Sequence, residues 1–177
     1  MGQPRINLKN VNGLLVDRDI FTRGLVSQML RGFGIEKLMI AGTGEEAKQM
    51  ITADCPDICL VEGALEDMAT ADLIGWIRRQ TSNTLRFMPV IVLSGYTQLR
   101  LIAAARDGGA NIVIRKPISP QTLFDRINWV ARVSRPYLET STYIGPDRRF
   151  HAIDPADGKW KRSTDLPSDA AAIAQAS

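Results

Sequence analysis

Apolar residues along this chain fall into two alternating kinds of segment. Short runs, "GLLV" (13–16), "KLMIA" (37–41), "ICLV" (58–61), "VIVL" (90–93) and "NIVI" (111–114), are apolar at nearly every position. A strand with one wet face alternates apolar and polar residues, so unbroken runs predict strands buried on both faces, as in a parallel sheet covered by helices. Between them the period lengthens to that of a helix. Residues 20–32 and the next position set Phe21, Leu25, Met29 and Phe33 at spacings of four, with Gly32 and Gly34 as the stop. Residues 44–52 follow "GT" with acids in the first turn, where the helix dipole favours them. Leu73, Ile74 and Ile77 form one stripe within 71–80, and Leu101, Ile102 and Ala105 another within 97–107, which stops at Gly108–Gly109. In "SPQTLFDRINWVARV", Ser119 is the expected N-cap, Pro120 the first helical residue, and Leu123, Ile127, Val130 and Ala131 the buried face.

Five strand–helix alternations predict an α/β doubly wound sheet over residues 10–133. From Ser134 to Ser177 periodicity fades into Pro, Asp, Gly and an alanine-rich end, so this stretch is expected to be irregular and partly disordered. Phe150 and Trp160 are its isolated apolar anchors. The insert "TSNTLRFM" (81–88) exceeds a minimal loop, and its "FM" is expected to pack. Trp76 and Trp129 are read as helix-face packing residues.

Composition narrows the function. The chain has 177 residues, 45% hydrophobic and 23% charged, as in an ordinary globular protein with a full core. Its net charge of +3 is small, and the basic excess lies weakly on the first 133 residues, which argues against nucleic acid as a partner. No apolar run approaches the ~20 residues a membrane span requires, and the N-terminus has no signal-like core. Cys55 and Cys59 have neither zinc-pair spacing nor a second cluster to complete a site. Two free thiols in a reducing compartment, hence the cytoplasm, are the expectation.

In a doubly wound sheet, functional groups collect just beyond the carboxyl ends of the strands. There the sequence sets Asp17, Arg18 and Asp19 after the first run, Glu62 and "GALEDM" after the third, Ser94 after the fourth, and Arg115, Lys116 and Pro117 after the fifth. Acids, a hydroxyl and a lysine in this order are parts of a phosphoryl-transfer site. Taken singly each has an ordinary alternative: Asp17 as a helix cap, Glu62 and Lys116 as a surface pair, Ser94–Gly95 as a turn.

Together, "LLVDRD", "DICLVEGALEDM", "PVIVLSG" and "GGANIVIRKPIS" resemble the receiver domain of the two-component response-regulator family. "RPYLETSTYIGPDRRF" further resembles the tail of a group of bacterial single-domain receivers ending in "GPDRR". The resemblance implies a five-stranded sheet in the order 2-1-3-4-5, flavodoxin-like or CheY-like. It also implies phosphorelay signalling, with a histidine kinase, phosphotransferase or downstream target as partner and a homodimer as an option. Carried residue by residue, the metal-binding acids fall on Asp17 and Arg18, the phospho-acceptor on Glu62, the switch hydroxyl on Ser94 and the lysine on Lys116. Pro117 is by the same resemblance a candidate for a cis bond. Val113 stands where an aromatic switch residue is common.

Two departures lie at the centre of that chemistry. Glu62 in place of aspartate reaches about 1.5 Å further, enough to spoil in-line attack. It also carries one fixed charge towards the place of a phosphoryl group, which would bear roughly −1.5 to −2. Arg18 puts a guanidinium where a metal-binding acid is expected, free to fork to Glu62 or Asp17 and to repel Mg²⁺. Asp19 could substitute as an acid, although its side chain should point towards the helix start. The expectation is a pseudo-receiver that is not an enzyme, takes no cofactor and binds no metal, with Asp17 the only ligand if one is bound. Two alternatives stay open. One is phosphate acceptance or a phosphate sink, using Glu66 or Asp67. The other is an effector for an anionic ligand or nucleotide, held by Arg78, Arg79, Arg86, Arg100 or Arg106.

Overall fold

The computed structural model describes residues 8–95, 99–132, 136–140 and 143–147. Expectations that fall on Phe150, Trp160 and the "RR" of "GPDRR" lie outside them. Strands β1 (Gly13–Val16), β2 (Leu38–Ala41), β3 (Ile58–Glu62), β4 (Val90–Ser94) and β5 (Ile112–Arg115) pair side by side, all parallel, in the order 2-1-3-4-5. Helices α1 (Ile20–Gly32), α2 (Gly44–Asp54), α3 (Thr70–Arg78), α5 (Leu99–Asp107) and α6 (Pro120–Arg132) connect them, and a single turn, α4 (Asn83–Arg86), interrupts the insert before β4.

Successive strand residues feed two cores, one on each face of the sheet. Leu14, Val16, Val61 and Val92 join Ile51, Leu73, Ile74 and Ile77 on one side. Leu15, Leu60, Ile91 and Leu93 join Val26, Leu30, Leu123 and Ile127 on the other. The central strands β1, β3 and β4 are dry on both sides, which is why their runs show no alternation. The edge strands β2 and β5 are only partly covered, with Ile40 exposed, so the expectation of burial on both faces fails at the sheet edges, where one flank has no neighbouring strand.

Helix starts follow local chemistry. Thr43 accepts from the Glu46 amide at 3.2 Å, and Asp67 reaches over to take the Gly44 and Glu45 amides at 2.9 Å each. Ser119 accepts from the Thr122 amide at 3.1 Å. At α1 the cap is Asp19, whose carboxylate takes the Phe21 and Thr22 amides at 3.2 Å and the Thr22 hydroxyl at 2.6 Å. The capping alternative therefore belongs to Asp19 rather than to Asp17.

Two regions differ from the sequence reading. The α1 stripe is rotated: Val26 and Leu30 face the core, while Phe21 is 87% and Leu25 55% exposed. Too many apolar residues decorate this helix for period alone to pick the inward face. Only Met29 and Phe33 of the expected stripe pack, Phe33 edge-on to Phe124 with ring centroids 5.1 Å apart.

The stretch beyond 133 is not wholly irregular. β6 (Tyr137–Glu139) and β7 (Ile144–Pro146) form an antiparallel pair, and the first compact unit runs from Met1 to Asp147. Three-residue strands are too short to leave a periodic signal. In the insert, Met88 is buried, and the Phe87 ring lies 4.9 Å from that of Tyr137.

Candidate functional site

The site forms where β1 and β3 leave the sheet, between the neighbouring β2 and β4. Asp17 follows β1 directly, Glu62 is the last residue of β3, Ser94 is the last of β4, and Lys116 follows β5. Parallel register brings these ends level, so residues 99 apart in sequence meet.

Asp17 is fully buried. Its Oδ1 accepts the Asp19 amide at 2.9 Å and its Oδ2 accepts the Lys116 ammonium at 2.7 Å. Lys116 Nζ also lies 3.5 Å from Glu62 Oε1, so one ammonium spans both carboxylates. Glu62 is 8% exposed, and its other oxygen, Oε2, has no hydrogen-bond partner, the Arg18 Nε lying 3.8 Å away. Burial raises the Glu62 carboxyl above its ordinary range; Lys116 opposes this and Asp17 adds to it.

Arg18 is turned mainly outward. Its Nη1 donates to Glu66 at 3.0 Å, a tighter contact than the one to Glu62, so the expected fork to Glu62 or Asp17 is replaced by a bridge from Glu62 to Glu66. Asp67 is engaged as the cap of α2, and the amides it accepts hold its carboxyl below the usual range. Asp19 points to α1 and not to the pocket. Val113 is half-buried and packs on the α2–α3 core. The Lys116–Pro117 bond is cis.

Ser94 is buried beside Gly63, where an added Cβ would come within 2.8 Å of the Ser94 hydroxyl oxygen. Gly63 thus keeps the chain close to the serine, a role the sequence signalled only as the residue after Glu62. Thr70 donates its hydroxyl to the Glu62 carbonyl at 2.8 Å, tying the start of α3 to the end of β3.

Two of the arginines grouped as an anion-binding surface are otherwise used. Arg78 is 1% exposed, and Arg86 pairs with Glu139.

A hard divalent cation needs several oxygen ligands. Here Asp17 already meets an ammonium and a backbone amide, and a guanidinium stands in place of the second acid. Among the described residues no cluster of three or more His, Cys, Asp or Glu could hold a metal ion. These donors do not fit Mg²⁺.

This sheet order, with acids, a hydroxyl and a lysine at adjoining strand ends, defines a receiver-type domain. The chain belongs to the response regulator receiver domain family, which it matches over residues 14–128. It is 32% identical over 101 residues to the transcriptional regulatory protein KdpE of Staphylococcus aureus, covering 57% of this chain and 42% of that protein. It is 28% identical over 114 residues to the transcriptional regulatory protein PdtaR of Mycobacterium tuberculosis, covering 64% of this chain and 53% of that protein. The chain thus spans about half the length of these relatives. The chemotaxis response regulator CheY4 of Vibrio cholerae superposes with a TM-score of 0.62 at 24% identity, over 68% of this chain and 98% of that one, a likeness of fold. No helix among the described residues is long and apolar enough to cross a membrane.

Proposed function

We propose that this receiver is a signalling module that works by protein–protein contact in a fixed charge state, without accepting a phosphoryl group and without Mg²⁺. The observation that carries this reading is the clasp of Lys116 on Asp17 and Glu62, at 2.7 and 3.5 Å, closed on the outer side by Arg18. In a phosphate-accepting site the lysine awaits an incoming oxyanion and a cation balances the acids. Here the longer carboxylate already meets the lysine, and the arginine supplies the balancing charge. The module is not an enzyme, and its cytoplasmic setting is supported by the free thiols Cys55 and Cys59.

A contact surface adjoins the clasp. Ile20, Phe21 and Leu25 are exposed on α1, within about two turns of Arg18, and Gly24 among them has open space where a Cβ would stand. A mid-helix glycine costs about 0.5–1 kcal/mol relative to alanine, and no packing within the domain requires it at this position. Large exposed apolar residues beside a notch suit the face of a partner protein.

Incubation with acetyl phosphate and Mg²⁺, followed by intact mass, tests the reading. The wild-type chain is expected to show no added phosphoryl group, and the Arg18→Asp/Glu62→Asp variant is expected to gain one. Stoichiometric phosphorylation of the wild type at Glu62, Glu66 or any other pocket residue would overturn it.

A further inference from the structure

Arg78, near the end of α3, makes an unusual set of contacts. A guanidinium has five N–H donors, and all are used on neutral oxygens. Nε donates to the Gly109 carbonyl at 3.0 Å, Nη1 to the carbonyls of Arg86 and Met88 at 2.9 and 2.8 Å, and Nη2 to Gly109 again at 2.8 Å and to Asn111 Oδ1 at 3.0 Å. Burial lowers its pKa. The Tyr137 ring of β6 lies over the guanidinium at 5.3 Å, where the face of the ring offsets part of the desolvated charge.

Tyr137 and Asn111 extend the network to the start of β5. The Tyr137 hydroxyl donates to the Phe87 carbonyl at 3.0 Å and accepts from Asn111 Nδ2 at 3.2 Å. Asn111 Oδ1 also takes the Val90 amide at 2.8 Å, and the Asn111 amide donates to the Val90 carbonyl at 2.8 Å. Asn111 therefore sets the first rung between β4 and β5.

The β6–β7 pair is seated by two glycines. Gly109 has φ +100°, and a Cβ there would meet the Ile144 carbonyl oxygen at 2.5 Å; a Cβ on Gly145 would lie 2.8 Å from the Gly109 Cα. Backbone thus meets backbone, as only glycine allows. This also gives a physical role to the Gly145 of "GPDRR", whose following Asp147 closes on the Pro136 carbonyl at 2.8 Å.

β5 is an edge strand, paired only with β4 in the sheet. One end is Asn111 under the β6–β7 pair; the other leads into Lys116 at the clasp. The five residue steps from Asn111 to Lys116 span about 16 Å at the rise of an extended strand. We infer that the β6–β7 pair is a strap that fixes where β5 begins and thereby where Lys116 ends. The clasp beyond the carboxyl end of β5 is then held in place by the β6–β7 pair at the amino end of the same strand. Tyr137 and Gly145 are positioning residues; neither touches the clasp. The inference does not depend on whether Glu62 takes phosphate, because it concerns only the placing of Lys116.

The test uses the full chain and NMR. In Gly145→Val the strap cannot seat on Gly109. The expected result is loss of Tyr137–Phe87 ring contacts, a roughly tenfold or greater rise in exchange of the Asn111 amide, and a shift of the Lys116 side-chain signals. Glu139→Gln, which removes only the surface pair with Arg86, should leave Lys116 unshifted. A released strap with unshifted Lys116 signals would overturn the inference, as would an equal shift in Glu139→Gln. If Gly145→Val does not fold, Tyr137→Phe decides, since it removes a single hydroxyl. A Lys116 shift in that variant upholds the strap, and none refutes it.

Discussion

Glu62 is a carboxylate whose environment opposes its charge. Its carboxyl is pushed up by burial, more than Lys116 pulls it down, so the ionised form is disfavoured in the fold relative to the unfolded chain. The folded state then binds the proton more tightly, and stability falls as pH rises from the ordinary value of 4.5 through the raised folded value. Glu62→Gln should therefore be more stable than wild type at neutral pH. Its advantage should vanish below the ordinary carboxyl range, as measured by urea unfolding across pH. An advantage that grew on acidification would contradict the burial argument. The two cysteines make a second contrast. Cys59 is buried and its thiol is pushed up to about 12, whereas Cys55 is exposed at the end of α2. Since the thiolate is the reacting form, a thiol reagent should modify one cysteine quickly in the native protein and the second only on unfolding.

At the scale of the element, α1 shows how a helix with a surplus of apolar residues is oriented. Asp19 fixes its first turn, and Val26 and Leu30 then fall against β1 and the α6 side of the core. Phe21 and Leu25 are left outside. Phe21→Ser should change the unfolding free energy by no more than about 0.5 kcal/mol. Leu30→Ala should cost about 2–5 kcal/mol through the cavity it leaves. Comparable losses from both substitutions would mean that α1 packs by its other stripe. The β6–β7 pair shows the converse: strands with little apolar surface are held by the Tyr137 ring over the buried Arg78, by the Tyr137 hydroxyl donating to the Phe87 carbonyl, and by close backbone contact at Gly109 and Gly145.

At the scale of the whole sheet, parallel pairing gathers the ends of β1, β3, β4 and β5 into one place, where two cations face three carboxylates. Lys116 and Arg18 face Asp17, Glu62 and Glu66. A ligand that binds only the native state raises the melting temperature. Millimolar Mg²⁺ should leave that of the wild type unchanged and raise that of the Arg18→Asp/Glu62→Asp variant, as read by differential scanning calorimetry. An equal rise in both would show that the clasp opens to a cation.

The five buried strands, their helices and the ordered acids, serine and lysine at the strand ends were legible in the sequence, because each rests on local pattern: unbroken apolar runs, helical period, caps and glycine stops. The departures at Arg18 and Glu62 could be read directly from residue identity. What only the tertiary structure decided were the relations between segments distant in the chain. Arg18 reaches Glu66 as well as Glu62, because the loop after β3 returns across the pocket. Asp67 serves α2, because the same loop brings its carboxylate to backbone amides left open at that helix start. Arg78 lies inside because three carbonyls from two separate segments, the insert before β4 and the turn before β5, converge on it, and no periodicity along a single chain encodes such a convergence.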